Sequence, residues 1–383
     1  MERLYYLEGL RGIASLVVVV HHFILAFYPA LFFGSSFSYH FQKDVEKFMS
    51  GSVLSLFYNG NFAVCLFFVL SGFVLSYKFF LEKKYESVRE SIVKRYVRLM
   101  IPVVFSIFLV FFLMKLSLFF NSQVASISGS TWFGDFWSFE ENFYDALYAG
   151  FIGSFFSDVF PYNIVLWTIS FEFLGSLLVF AFLALFGTMK KRSIVYIVGM
   201  IFFFQTYYLA FILGMLLSDI ATSQRGLLEK ISRKKWMVGG LLFSGLFLGG
   251  FPSDYTATIG TFYENMHDPI FKNATALYHT IGAFLFIAAL LCCKKAQNIL
   301  SYKYFVFFGE ISFSFYLLHF IVLGSLTSFI FLQLHLYFSY NISALFAFII
   351  SLGFLIIFSY WMYIYIDKKA IQFSKFLYVR FFK

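Results

Sequence analysis

Leu10-Arg11-Gly12-Ile13-Ala14-Ser15-Leu16-Val17-Val18-Val19-Val20-His21-His22-Phe23 is the stretch on which the reading of this chain turns. The apolar run around it reaches to about residue 28, and a bilayer core takes about 20 such residues to cross. Yet the run carries Arg11 and His22, and a membrane penalises ionisable side chains so heavily that they default to a functional reading. Eleven residues are three helical turns plus about 20°, or about 16 Å of rise. Arg11 and His22 therefore share one face of one helix, while His21 points about 100° away. A fixed cation near one membrane surface is held in line with a base near mid-depth, a geometry suited to a long anionic substrate lying along the helix.

The rest of the chain reads the same way. Hydrophobic residues make up 61% of it and charged residues 13%, with a mean hydropathy of +0.80; a soluble chain carries about 25% charged residues. The expected fold is all-α, a polytopic membrane protein in a single domain over residues 1–383, with no appended soluble domain. Apolar runs between charged breaks give about ten transmembrane helices: 10–28, 59–80, 99–120, 163–188, 193–206, 207–220, 236–251, 274–291, 306–334 and 342–366. The first lacks a small-residue cleavage site and reads as a retained span rather than a signal peptide. The stretch 193–220 is divided in two because the basic clusters on either side of it must return to one compartment.

Charge fixes the orientation. With both termini inside, the cytoplasmic side collects Arg3, Arg11, the run Lys78 to Arg98, Lys190 to Arg192, Arg225 to Lys235, Lys294, Lys295, Lys303 and the tail from Lys368 to Lys383. The outer side keeps Lys43, Lys47, Lys115 and Lys272 together with ten acids, Asp158 and Asp268 among them. The positive-inside rule then gives N-in and C-in, so the net charge of +9 is topological and no nucleic-acid partner is implied. The outer segment 121–162 has no Lys or Arg and is rich in aromatic residues, Trp132, Phe136 and Trp137 among them; it reads as an interfacial amphipathic piece. Cys65, Cys292 and Cys293 suggest no disulfide framework. Cys292-Cys293, at an expected cytoplasmic helix end, offers a palmitoylation site, although an interfacial pair is the simpler account.

Beyond His22, a neutral imidazole placed to accept a hydroxyl proton, a few polar residues stand out. Glu8 precedes Arg11 by three, so an i,i+3 ion pair is the plain account of Arg11 and a phosphate clamp the functional one. Arg95 and Arg98 share a face at the start of the third span; topological anchoring explains them, but guanidinium forks also suit phosphates. Glu172 is the one acid deep inside a span and must be protonated, paired or facing a wet cavity. An arginine partner is one account; orienting His22 or binding acceptor hydroxyls is the other. Ser71, in Ser71-Gly72, points to close helix packing or to a substrate contact, without a nucleophile elbow around it. Tyr316 and His319, with Glu310, Ser312 and Ser314, crowd the ninth span, where His319 either lines an acceptor path or makes a core hydrogen bond. Glu264-Asn265-Met266-His267-Asp268 forms no complete metal-ligand set, and no metal is expected.

Taken together, these segments resemble the acyltransferase-3 family of integral membrane acyltransferases. Leu7-Glu8-Gly9-Leu10-Arg11-Gly12-Ile13-Ala14 with His22 resembles that family's opening. Phe67-Phe68-Val69-Leu70-Ser71-Gly72-Phe73, Arg95-Tyr96-Val97-Arg98 with Pro102, Leu166-Trp167-Thr168-Ile169-Ser170-Phe171-Glu172 and Ser314-Phe315-Tyr316-Leu317-Leu318-His319 resemble its later motifs, in order. Two departures stand out. Glu8 stands where Asp is commoner, and three residues rather than two separate Arg98 from Pro102. The resemblance implies transfer of an acyl group, usually acetyl from acetyl-CoA, to a hydroxyl of a cell-surface glycan or lipid-linked sugar. The usual setting is a bacterial inner membrane. Arg11, Arg95 and Arg98 would hold the CoA phosphates, His22 would act as base or acyl carrier with Glu172 beside it, and Ser71, Tyr316 and His319 would contact substrate. Where a second catalytic step is needed, a separate periplasmic partner would supply it.

A rival reading from another class is a proton-coupled secondary transporter of a sugar or drug-like solute, in which His22, Glu172 and His319 form a proton relay. A non-catalytic lipid- or sterol-binding protein leaves the Arg11–His22 alignment unexplained. The late Asn/Asp-plus-His pattern of the membrane-bound O-acyltransferases is not evident.

Overall fold

The opening stretch becomes an unbroken helix, α1 (Tyr5–Phe27), in a computed structural model that describes residues 4–157, 160–267 and 270–382. Arg3, Asp158, Asp268 and Lys383 lie outside the described residues. The apolar helices that follow are α2 (Gly60–Glu82), α3 (Tyr85–Lys115), α4 (Trp167–Phe186), α5 (Arg192–Phe202), α6 (Tyr208–Ser223), α7 (Lys235–Gly249), α8 (Ala274–Cys292), α9 (Lys303–His335) and α10 (Tyr340–Phe382). With α1, seven of these ten helices are long and apolar enough to cross a membrane; α5, α6 and α7 are shorter, at 11, 16 and 15 residues. The described residues contain no strand.

Lipid tails are as apolar as leucine, so helices in a membrane associate through close packing at small residues rather than through burial from water. Two such contacts set the frame. Where α1 meets α9, a Cβ on Gly309 would stand 2.1 Å from the Glu8 carbonyl oxygen, and one on Gly12 would stand 2.5 Å from that of Phe305. Where α2 meets α6, Gly72 and Gly214 play the same part against the backbones of Phe211 and Val69, at 2.2 and 2.0 Å. Gly72 thus has the packing role expected of the Ser71-Gly72 pair.

The stretch 193–220 divides into two helices. The chain turns between Phe202 and Tyr208, with Gln205 at a left-handed φ of 63°. At the far end of the hairpin Arg192 grips both carboxylate oxygens of Asp219, at 2.5 and 2.6 Å. Other boundaries shift. The third helix starts at Tyr85 and ends at Lys115, because Ser117 takes a left-handed φ of 53° that no helix continues through. Arg95 and Arg98 are therefore inside α3 rather than at its start. The last helix does not stop near 366; it passes through a π-helical turn, Tyr363–Asp367, and continues as Lys368–Phe382 along α3, where the Tyr378 hydroxyl donates to Glu86. The outer segment is also more than a surface piece. Its short helices Asn121–Ser128 and Thr131–Gly134 fold back on the bundle, burying Val124 and Phe133, while Ser130 donates to the Leu25 carbonyl at 2.6 Å.

Because the α1–α9 approach is backbone to backbone, Gly309→Val cannot be absorbed by a side-chain rotation. It should cost at least the 1–3 kcal/mol typical of overpacking. The expected reading is a clear fall in the melting temperature of detergent-purified protein, whereas Gly353→Val, with nothing near its Cβ position, should leave it unchanged.

Candidate active site

Charged residues inside an apolar bundle need water or one another, and here they share a cavity of about 400 Å³. α2 lines it from Val64 to Leu75, a length of about 16 Å at helical rise. Glu8 and Arg11 come from α1, Arg95 and Arg98 from α3, Thr168 and Glu172 from α4, Glu310 and Tyr316 from α9, and Tyr363 and Asp367 from the π-turn of α10. Of the residues singled out in the sequence, Arg11, Ser71, Arg95, Arg98, Glu172 and Tyr316 all meet at this one cavity; His22 and His319 do not line it.

The three arginines differ in what they are free to do. Arg11 is held by Glu8 at 2.9 Å, the i,i+3 pair expected from spacing. Arg95 is buried, donating to both the carboxylate and the backbone carbonyl of Glu172, and Ser71 donates to the same carboxylate at 2.7 Å. Glu172 is thus answered by an arginine and a serine, not by His22. Arg98 is exposed to the cavity and makes no hydrogen bond or ion pair with a described residue. Arg95, Arg11, Glu172 and Asp367 surround it electrostatically. Pro102 removes the helical hydrogen bond that would otherwise reach the Arg98 carbonyl.

Asp367 escaped sequence reading. It is buried and its Oδ1 has no hydrogen-bond partner among the described residues, yet it faces the cavity beside Arg98. One signal was available: it is the only acid after Glu310, placed directly beyond an apolar run. What aims it inward, however, is the π-turn, and extra-residue turns of this kind recur at functional sites.

Beyond the inner end of the cavity lies the histidine pair. Tyr316 marks that end, its hydroxyl donating to the Val165 carbonyl at 3.0 Å and accepting from Thr168 at 2.9 Å. One helical turn further along α9, the His319 Nδ1 donates to the Tyr316 carbonyl at 2.6 Å. The His319 Nε2 is 3.0 Å from the His22 Nδ1, which also lies 3.1 Å from the Val18 carbonyl oxygen. From the segment 121–162 the Trp132 indole stacks over His22 at 6.0 Å, and Phe320 meets the imidazole edge-on at 5.3 Å. His21 turns away, bonding the Tyr58 carbonyl at 2.9 Å. Sequence spacing put His22 on the face of Arg11 but gave no sign that its neighbour would be a residue 297 positions away.

Fold and site together define an integral membrane protein with a guanidinium-lined cavity running into its helical bundle and a histidine pair past the cavity's end. The chain belongs to the acyltransferase-3 family: the family model described as an acyltransferase domain matches residues 4–364. Among curated proteins it is similar to the O-acetyltransferase PaAT-1 of Phomopsis amygdali, 25% identical over 248 residues, which are 56% of this chain and 48% of that protein. The chain thus spans about half the length of the curated relative it matches. No solved structure matches.

Breaking a buried ion pair on one side leaves the other charge uncompensated, at a cost of about 3–5 kcal/mol. Glu172→Gln should therefore destabilise the bundle by about that much by stranding Arg95. The double variant Glu172→Gln, Arg95→Met should recover most of the loss in thermal unfolding of the purified protein. An unchanged melting temperature in the single variant would show that the pair does not hold α3 to α4.

Proposed function

We propose that this protein is a ten-span membrane O-acyltransferase with both termini in the cytoplasm. On this reading it takes an acyl group, acetyl in the first instance, from cytosolic acyl-CoA and passes it to a hydroxyl of a glycan or lipid-linked sugar arriving from the outer side. Family membership supports acyl transfer, and the O-acetyltransferase relative supports oxygen as the acceptor atom. The asymmetry of Lys and Arg supports the orientation, and α5, α6 and α7 stand as short spans.

The observation that carries the reading is the alignment of cavity and histidines. Arg11, Arg95 and Arg98 gather where a polyanionic donor would enter, and about 16 Å of cavity leads inward along α2. His22 and His319 lie one turn beyond. Arg98, unpaired, is the guanidinium best placed to take a phosphate, with Arg11 beside it. A narrow apolar arm bearing the thioester fits the wall of Val64, Phe67 and Phe68. Chemistry follows at the imidazole. As the acceptor oxygen bonds to the thioester carbonyl carbon, its proton passes to His22; the C–S bond then breaks, and the departing thiolate recovers that proton. In the covalent variant the same imidazole first carries the acyl group and then yields it to the acceptor. The transporter alternative uses His22 and Glu172 in one relay, yet Glu172 is engaged by Arg95 and Ser71.

His22→Ala should lower acyl transfer by about 10²–10⁴-fold, the range for removal of a general base, while the protein folds and binds acyl-CoA as before. Arg98→Ala should instead raise the KM for acyl-CoA by about 10–100-fold, the worth of a charge-assisted hydrogen bond, with a smaller effect on kcat. Labelled acetyl-CoA supplied to membranes, with the labelled product identified, checks both. Full transfer by the histidine variant would end the catalytic assignment.

A further inference from the structure

We infer that His319 is the positioning residue of the site: it holds His22 in the tautomer that leaves Nε2 unprotonated and makes Nε2 the reactive atom. The inference rests on the proposed role of His22 and adds which atom acts and what sets it.

The assignment follows from donors and acceptors. A carbonyl oxygen only accepts, so the 2.6 Å contact with the Tyr316 carbonyl requires a proton on the His319 Nδ1. A neutral His319 then carries a lone pair on Nε2. The His22 Nδ1 faces two acceptors, that lone pair at 3.0 Å and the Val18 carbonyl at 3.1 Å. Only a proton on the His22 Nδ1 satisfies both. The reverse arrangement, with the His319 Nε2 donating, would turn the His22 Nδ1 lone pair toward the Val18 oxygen. The His22 Nε2 is thus left as an acceptor, and it has no hydrogen-bond partner among the described residues. The two carbonyls sit on the helices that carry the two rings, three residues before His319 and four before His22, so α1 and α9 fix the proton pattern themselves.

His319 in this way does for His22 what a carboxylate does in a catalytic triad: it orients the imidazole and supports the imidazolium that forms when Nε2 takes a proton. It differs in being neutral. A resting ion pair would be costly among Val19, Phe320 and Leu323, and the histidine pair needs no charge until the reaction supplies one. Glu172, the residue expected to orient His22, is spoken for by Arg95 and Ser71.

The test separates positioning from packing and from the role of His22. His319→Leu removes the acceptor, whereas His319→Gln sets an amide oxygen near the place of Nε2. The leucine variant should lose about 10–100-fold in kcat with the KM for acyl-CoA unchanged, and the glutamine variant should recover most of the loss. Nitrogen NMR of protein labelled at its histidines, with His22→Ala subtracted to isolate the His22 signals, reads the tautomer directly. Wild type should show an unprotonated Nε2 and a protonated Nδ1, and this pattern should persist in the glutamine variant and blur in the leucine variant. A protonated Nε2 in wild type, or a leucine variant with wild-type kcat, overturns the inference even where His22→Ala abolishes transfer. Conversely, full activity of His22→Ala with the expected tautomer present would end the function proposed for His22 while leaving the positioning of its ring intact.

Discussion

The contact between α1 and α9 is the constraint from which the rest of the site follows. It is made at Gly12 and Gly309, where each backbone fills the space a Cβ would need on the other helix. Such an approach fixes both axial register and rotation, because a shift of one residue would drive a larger side chain into a carbonyl. Register here has a chemical consequence. Ten residues after Gly12 stands His22, and ten after Gly309 stands His319; at about 15 Å of rise each, both arrive at the same level. Both rings are braced by carbonyls of their own helices, so the only freedom left to the pair is the separation that the glycines set.

Electrostatics sets the second constraint. An apolar bundle tolerates charge only where it is paired or wetted, and the cavity offers both. Glu8 with Arg11 and Glu172 with Arg95 use up two of the three guanidiniums. Asp367 stands beside Arg98 and balances the third. The pairs also tie the bundle together: Arg95 joins α3 to α4, and Ser71 brings α2 to the same carboxylate. Among the described residues that line the cavity, Arg98 is the guanidinium without a hydrogen bond or ion pair.

Much of this was legible in the sequence, for identifiable reasons. Span positions follow from apolar length, a one-dimensional property, and the runs at 10–28, 59–80, 274–291 and 306–334 match helices closely. Arg11 pairs with Glu8 because i,i+3 is local. Arg11, Arg95, Arg98, Glu172, Ser71 and Tyr316 were recognisable as ionisable or polar groups in apolar surroundings, and all reach one cavity. Partners across the bundle were not legible. Nothing local distinguishes Arg95 from Arg98, yet one is buried against Glu172 and the other is exposed. Of the two accounts of Glu172, the structure shows the arginine partner rather than a contact with His22; which one applies depends on rotation about α4, set by packing, which hydropathy does not encode. Asp367 was lost because the π-turn changes the face it occupies, and no pattern of period 3.6 anticipates an extra residue in a turn.

The relation between the cavity and the histidine pair carries a final consequence. His22 lies between two unlike surroundings: toward α9 it meets His319 and the Tyr316 turn that closes the cavity, and toward the outer segment it meets Trp132. Tyr316 flanks the pair on one side and a single indole, carried on the four-residue helix Thr131–Gly134, on the other. Tyr316 is tied down by two hydrogen bonds to α4 and its preceding turn, whereas Trp132 is held by stacking on His22 and by edge-on contacts with Phe136 and Phe320. Of the two barriers, the indole is the one whose displacement breaks no hydrogen bond seen here. Displacing the indole is therefore the cheaper of the two movements, and the tyrosine side of the pair is the more rigid.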